Sequence, residues 1–285
     1  MTGLLAKAGF GCVGLTGQPT RAAALRLLEE ACGGGITYFD TAPGYGQGYS
    51  ERLLGEFLRK RKNAGLSVAT KFGLGVPRWG ALPPSMAVPL NYWRKKAKGR
   101  RFRQPLPGGA APLLPWRSIS REQIRAGFDQ SRRSLGVERI DCYLLHEGLP
   151  AFVEEEALDL LLELKRQGAI GQLGLAANGR NYHGLDAAML AHWDILQYEF
   201  GPAWKDNQEL PARFADKRHF FHSIFKDHRT VLLPGVAPED VPARILQSCI
   251  EANPNGKVLF FSGNPAHIRR NLRWLADAQT PARGD

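Results

Sequence analysis

Eight short apolar runs, most followed by a stretch of helical periodicity, repeat along the 285 residues, and this alternation limits the fold more than any other feature. The runs fall at 11–15, 36–40, 66–72, 140–146, 170–176, 195–200, 220–225 and 257–261. Several are continuously apolar, as strands buried on both faces of a parallel sheet are. Helical patterns follow at 20–32, 50–60, 120–135, 154–167, 185–191, 207–215, 242–252 and 265–278. Thr20 and Ser50 are placed to cap helix starts, and Gly168 follows a helix with Lys165 and Arg166 in its last turn. Eight strand–helix units in this order predict a single (β/α)8 TIM barrel over 1–285.

An open, doubly wound sheet is the competing architecture. It would carry a glycine-rich dinucleotide loop opening a helix after the first strand. "GFGCVG" has glycines near that spacing, but "LTGQPT" follows it where a helix would have to start. The seventh unit, "RHFFHSIFKDHRTVLLPGV", fits a barrel least well, since a proline-containing stretch follows its strand.

Residues 74–118 break the rhythm, with many prolines and glycines. They read as an insertion loop after strand three, too long for a plain βα connection. Within it, "RKKAKGRRFR" (94–103) carries seven cations and no acid. Most of the formal +11 charge therefore belongs to one segment, and nucleic-acid binding is not expected from it. No apolar run reaches the length of a membrane span, and no membrane partner is expected. The start lacks the basic-then-apolar order of a secretion signal. Cys12, Cys32, Cys142 and Cys249 are scattered without metal or redox spacing. A reduced, cytoplasmic, metal-free protein is expected; its oligomeric state is open.

In such barrels chemistry gathers at the C-terminal strand ends. In "ITYFDTAPGYGQGYSERLLG" (36–55) the second apolar run stops on Asp40, and Tyr45 stands in a glycine frame five residues later. Lys71 ends the third run in "VATKFG" and His146 ends the fourth in "DCYLLH". Four polar groups from three neighbouring strands thus face one mouth. An ammonium beside a phenol favours phenolate and should draw the phenol's pKa down. Asp40 would orient Lys71 and keep it charged, Tyr45 would act as general acid, and a neutral His146 would hydrogen-bond the oxygen gaining charge. Acid plus oxyanion support, without nucleophile or metal, suits carbonyl reduction if a hydride donor is present. Two other readings stand beside it. One is a Schiff-base lyase using Lys71, which needs a neutral amine. The other is a catalytically weak nicotinamide-binding sensor or regulatory subunit that docks through the basic insertion.

"FDTAPGYG", "GYSERLLG", "VATKFG", "SREQIRAGFDQSRRSLGVERID" and "RIDCYLLHEG" together resemble the aldo-keto reductase superfamily. The resemblance is strong over 10–73 and 118–175 and looser to 274. It implies an NAD(P)H-dependent oxidoreductase that reduces an aldehyde or ketone to an alcohol, with a catalytic tetrad of Asp40, Tyr45, Lys71 and His146. For the cofactor it implies contacts from Thr16, Asn178, Gln197, His222, Ser262, Gly263, Asn264, His267, Arg270 and Asn271. Several of these depart from the family pattern. "GLAAN" puts Ala176 and Ala177 where a polar pair is usual, His222 stands for a stacking tyrosine, and Phe261 and His267 replace two cations. Arg269 or Arg270 would supply the missing charge. The helix start near Pro265 is an anion site in principle, so NADPH is the expected cofactor, with NADH as the alternative.

Overall fold

The first strand of the computed structural model is β1 (Ala8–Gly11), earlier than the apolar run at 11–15 suggests. Its inward positions are Gly9 and Gly11, so it carries little hydrophobic signal. A Cβ on Gly9 would stand 2.6 Å from Leu259 Cδ2 and 2.9 Å from Tyr38 Cδ1. Glycine there lets the barrel close. The described residues are 3–61, 64–74, 82–101, 118–227, 236–238 and 240–277.

The other strands are β2 (Tyr38–Asp40), β3 (Ser67–Phe72), β4 (Ile140–His146), β5 (Ile170–Ala176), β6 (Ile195–Glu199), β7 (Arg218–His222) and β8 (Lys257–Phe260). Each pairs in parallel with its neighbours and β8 returns to β1, closing the barrel. Tyr38, Ala69, Cys142, Leu144, Ala176, Ile195, Phe220 and Leu259 fill the interior, and a larger apolar cluster lies between the wall and the helices. β7 ends two residues after Phe220 rather than running to 225, because Ser223 turns to a left-handed φ of 54°.

The barrel is ringed by α2 (Arg21–Gly33), α3 (Tyr49–Arg59), α5 (Arg121–Leu135), α6 (Glu155–Arg166), α8 (Val241–Glu251) and α9 (Pro265–Asp277), after a one-turn α1 (Leu4–Lys7). Thr20 caps α2 as expected, its Oγ1 accepting from the Ala23 amide at 3.1 Å. Ser50 does not cap α3. It is buried in that helix and donates to the Cys12 carbonyl at 2.9 Å, fastening α3 to the β1 exit.

Two expected helices are absent or reduced. No α-helix forms over 185–191, where Asp186 Oδ1 instead accepts from the Met189 amide at 2.9 Å and holds a turn. The helix expected over 207–215 shrinks to α7 (Leu210–Arg213), anchored by buried Leu210 and Phe214 one turn apart. After β3, where a loop is expected, an 18-residue helix α4 (Pro84–Arg101) forms and buries Ala87 and Val88. Residues 102–117 of the expected insertion lie outside the described residues, as do 228–235 of the seventh unit.

Asn253 closes the end of the barrel opposite the strand exits. Fully buried, it donates to the carbonyls of His219 (2.7 Å) and Lys257 (3.2 Å) and accepts from the Gly256 amide (2.6 Å). Removing a side chain that satisfies several buried backbone groups costs about 1–3 kcal/mol per orphaned group. Asn253→Ala should therefore lower unfolding free energy in urea by about 2–4 kcal/mol. A midpoint indistinguishable from wild type would refute this role.

Candidate active site

Strand register brings the four catalytic candidates to one end. Asp40 lies opposite Gly11 and Ala69, Lys71 opposite Leu144, His146 opposite Ala176, and Ala176 opposite Gln197. Period-two alternation points Asp40, Lys71, His146 and Gln197 inward. Tyr45 arrives from the β2 exit loop. That loop turns back through left-handed Gly46 (φ 58°), Gln47 (φ 61°) and Gly48 (φ 87°). At Gly46 a Cβ would also lie 2.4 Å from Thr16 Oγ1, so the glycine answers both a conformational and a spatial demand.

Lys71 is the centre of the site and is only 2% exposed. Its ammonium donates to Asp40 Oδ1 at 2.6 Å and to the Thr41 carbonyl at 2.8 Å, and lies 4.9 Å from the centroid of the Tyr45 ring. The Tyr45 and His146 rings meet edge-on, centroids 5.8 Å apart. Gln197 Nε2 donates to Asp40 Oδ2 at 3.2 Å. Asp40, Tyr45, Lys71, His146, Gln197 and His222 line one cavity of about 340 Å³, walled by Val13, Ile224 and Phe261.

Burial alone would lower the Lys71 pKa, but Asp40 and Tyr45 together outweigh it and hold the amine above the ordinary lysine value. A lysine so held is an ammonium, and the Schiff-base reading loses its nucleophile. Burial raises the Tyr45 phenol above its usual pKa, outweighing the opposing pull of Lys71. This reverses the net lowering expected from the ammonium. It competes, but desolvation is larger. His146 is pushed down to about 3 by burial, with Lys71 and His222 adding repulsion, so it is neutral across the physiological range. Burial also lowers His222, despite the nearby carboxylates of Glu199 and Asp40.

The cofactor candidates separate into two sets. Four of them carry a buried polar atom with no hydrogen-bond partner: Thr16 Oγ1, Gln197 Oε1, Arg270 Nε and Asn271 Oδ1. Buried polar atoms are normally satisfied, so these four remain open to a further partner. The others are engaged or exposed. Asn178 Nδ2 donates to Glu199 Oε1 at 3.2 Å and its Oδ1 caps the Arg180 amide at 3.1 Å. Asn264 Oδ1 accepts from the Ala266 amide at 2.9 Å, and Ser262 Oγ accepts from the Asn264 amide at 3.2 Å, so both shape the turn into α9. Gly263 lies against Gln18, and His267 is exposed. Arg269 pairs with Glu30 at 2.5 Å, whereas the buried Arg270 Nε has no hydrogen-bond partner. Phe261 stacks over Gly14, where a Cβ would overlap its ring, and leans on Phe10 at 5.6 Å.

Sequence reasoning missed Glu199, whose Oε2 also accepts from the Gly179 amide at 3.0 Å. It stands two residues past Gln197 on an inward period, so strand alternation alone would have found it.

A family model for the aldo/keto reductase family matches residues 7–211, a span that includes most of the barrel and Asp40, Tyr45, Lys71 and His146. The chain belongs to this family. Among its curated relatives in the aldo-keto reductases, the NADH-specific methylglyoxal reductase of Escherichia coli is 29% identical over 218 residues, covering 73% of this chain and 59% of that protein. Pyridoxal 4-dehydrogenase of Microbacterium luteolum is 35% identical over 220 residues, covering 71% and 56%. The chain thus spans little more than half the length of either relative. Solved aldo-keto reductases share the fold. A holo form from Bacillus halodurans gives a TM-score of 0.65 at 18% identity, over 96% of this chain and 87% of that one. One from Klebsiella pneumoniae in complex with NADPH gives 0.62 at 15%, over 95% and 85%.

Among the described residues no helix is long and apolar enough to cross a membrane, and no cluster of residues suited to a metal occurs.

Proposed function

We propose that the chain is an NAD(P)H-dependent aldo-keto reductase that converts a small aldehyde or ketone to its alcohol. The observation that carries this reading is the buried Lys71 ammonium, fixed by Asp40 at 2.6 Å and set against the Tyr45 ring beside a neutral His146. When bound, the nicotinamide would supply a hydride to the carbonyl carbon.

The chain's own residues would do the rest. Tyr45 Oη donates its proton to the carbonyl oxygen as negative charge develops there. Its raised pKa keeps it protonated at neutral pH, and the Lys71 charge stabilises the phenolate left behind. His146 hydrogen-bonds the same oxygen and fixes its orientation. Asp40 holds Lys71 in place, and Gln197 braces Asp40. Gln197 Oε1 is free to accept from the nicotinamide carboxamide, while Thr16, Arg270 and Asn271 offer contacts toward the phosphate half. Asn178 is committed to Glu199, which leaves Gln197 as the main carboxamide partner. Arg270 favours NADPH, with NADH the alternative. The chain would work as one barrel, its carbonyl pocket walled by Val13, Ile224 and Phe261.

The test is turnover of a panel of small carbonyls with each reduced cofactor, including methylglyoxal and pyridoxal, the compounds in the relatives' names. Oxidation of either cofactor that depends on the carbonyl supports the reading. Saturable cofactor binding with no turnover on any carbonyl would sink it and favour the sensor.

The pH dependence follows from the shifts. With His146 neutral down to about 3, kcat/KM for reduction should show no inflection at the ordinary histidine value near 6.5. Tyr45 loses its proton only above its usual pKa of about 10, so the rate should fall only in the alkaline limb. A clear loss between about pH 6 and 7 would refute the neutral role of His146.

A further inference from the structure

We infer that Glu147 selects among carbonyl compounds by charge and that the preferred substrate carries a cationic group; this rests on the reductase reading above. Glu147 directly follows His146 and lines the same cavity as Asp40, Tyr45, Lys71 and Gln197. It is exposed, so it stands where that cavity meets water. Its amide donates to the Ala176 carbonyl at 2.8 Å, and its backbone takes a left-handed φ of 55°. A glycine would make that turn without strain, yet the chain holds a carboxylate there.

The charges around the cavity do not cancel. Asp40 and Lys71 neutralise one another at 2.6 Å, and burial keeps His146 and His222 neutral at pH 7. Among the described residues of the lining, Glu147 is therefore the uncompensated charge. A second carboxylate, Glu199, stands nearby. Asn178 interacts with both, through its backbone amide with Glu147 and through Nδ2 with Glu199 Oε1 at 3.2 Å. The Gly179 amide holds Glu199 Oε2 at 3.0 Å. These neutral donors fix the two carboxylates without cancelling either charge. Among the described residues neither joins an ion pair. Burial and the repulsion of Glu199 raise the Glu147 pKa, outweighing the Asn178 amide and Lys71. A cation at this rim would relieve that repulsion.

The same cavity is open to a ligand, since Gln197, only 2% exposed, lines it and its Oε1 has no partner. A carbonyl compound with an ammonium group would set its cation against Glu147 while its oxygen reaches Tyr45 and His146. A 2-oxo acid would bring a second negative charge to the rim and be disfavoured. The oxidised nicotinamide is the other cation that this carboxylate would attract, and the test separates the two.

The test compares three benzaldehydes of closely matched size, bearing a para trimethylammoniomethyl, neopentyl or carboxymethyl group. In wild type at low salt, kcat/KM for the cation should exceed that for its neutral isostere about fivefold, with the anion poorest. The cation-to-neutral ratio should fall below about twofold in Glu147→Gln and in high salt. In Glu147→Lys the order should reverse in favour of the anion. Comparing ratios between variants cancels the intrinsic reactivity of the compounds. Calorimetric affinities of the three aldehydes for the protein loaded with NADP+ should rank the same way and need no turnover. Ranked binding without turnover would sink the reductase reading alone, and neither binding nor turnover would overturn both. Turnover without a charge ranking, or the same ranking in wild type and Glu147→Gln, would overturn the role of Glu147. So would a loss of NADP+ affinity in Glu147→Gln with the ranking intact, which would turn the carboxylate toward the cofactor.

Discussion

Replacing Tyr45 by phenylalanine is expected to lower kcat for carbonyl reduction by about 10²–10⁴-fold, the range supplied by a positioned general acid. The ring remains in contact with His146 and Lys71, so neither the cavity nor the fold is disturbed. Only the hydroxyl proton is lost. Affinity for the reduced cofactor should change little, and KM for the carbonyl should rise modestly, since one hydrogen bond to its oxygen goes. Parallel measurement of kcat, KM and cofactor affinity separates these effects. Unchanged turnover would mean that another group is the acid, with His146 the next to examine.

Lys71→Met should have the largest combined effect, because it removes a buried cation that Asp40 and Tyr45 share. Asp40 is 3% exposed, and without Lys71 its nearest remaining side-chain donor is Gln197 Nε2 at 3.2 Å. Breaking a buried pair by removing one partner typically costs about 3–5 kcal/mol, since the other charge is left uncompensated. Turnover should fall at the same time, because Lys71 opposes the rise that burial imposes on the Tyr45 pKa. Adding Asp40→Asn removes the stranded charge. The double variant should recover much of the lost stability and none of the lost turnover. Denaturant unfolding beside steady-state kinetics reads both. Stability equal to wild type in Lys71→Met alone would contradict the buried-pair account.

How far the sequence reached differs from place to place for physical reasons. β4 and β5 fall on the expected residues because apolar residues dominate both runs, with Asp141 and Gln172 the exceptions, and His146 and Asn178 mark where each run stops. β1 was displaced because its inward positions are glycines, chosen for the space they leave beside Leu259 and Tyr38, and glycine carries no hydrophobic pattern. The turn at 186–190 resembles a helix in composition, yet Asp186 caps a single turn and the chain goes straight on to β6.

The convergence of Asp40, Tyr45, Lys71 and His146 was legible because it depends only on strand ends and a two-residue period. The balance of pKa influences on Tyr45 was not, since burial cannot be weighed against a neighbouring charge before the packing is known. For the residues proposed to contact the cofactor, the sequence does not tell which side chains are already bonded within the protein. Gln197 Oε1 and Asn271 Oδ1 are unpaired, whereas Asn178 is taken by a glutamate far along the chain.

The most direct measurement is to follow the label from reduced cofactor deuterated at both C4 positions of the nicotinamide when the full chain reduces a small aldehyde. Deuterium should appear on the carbinol carbon of the product, one atom per turnover, and the rate of its appearance should collapse in Tyr45→Phe. Alcohol formed without label, or no alcohol from any carbonyl while the cofactor binds, would contradict hydride transfer to a carbonyl at this site.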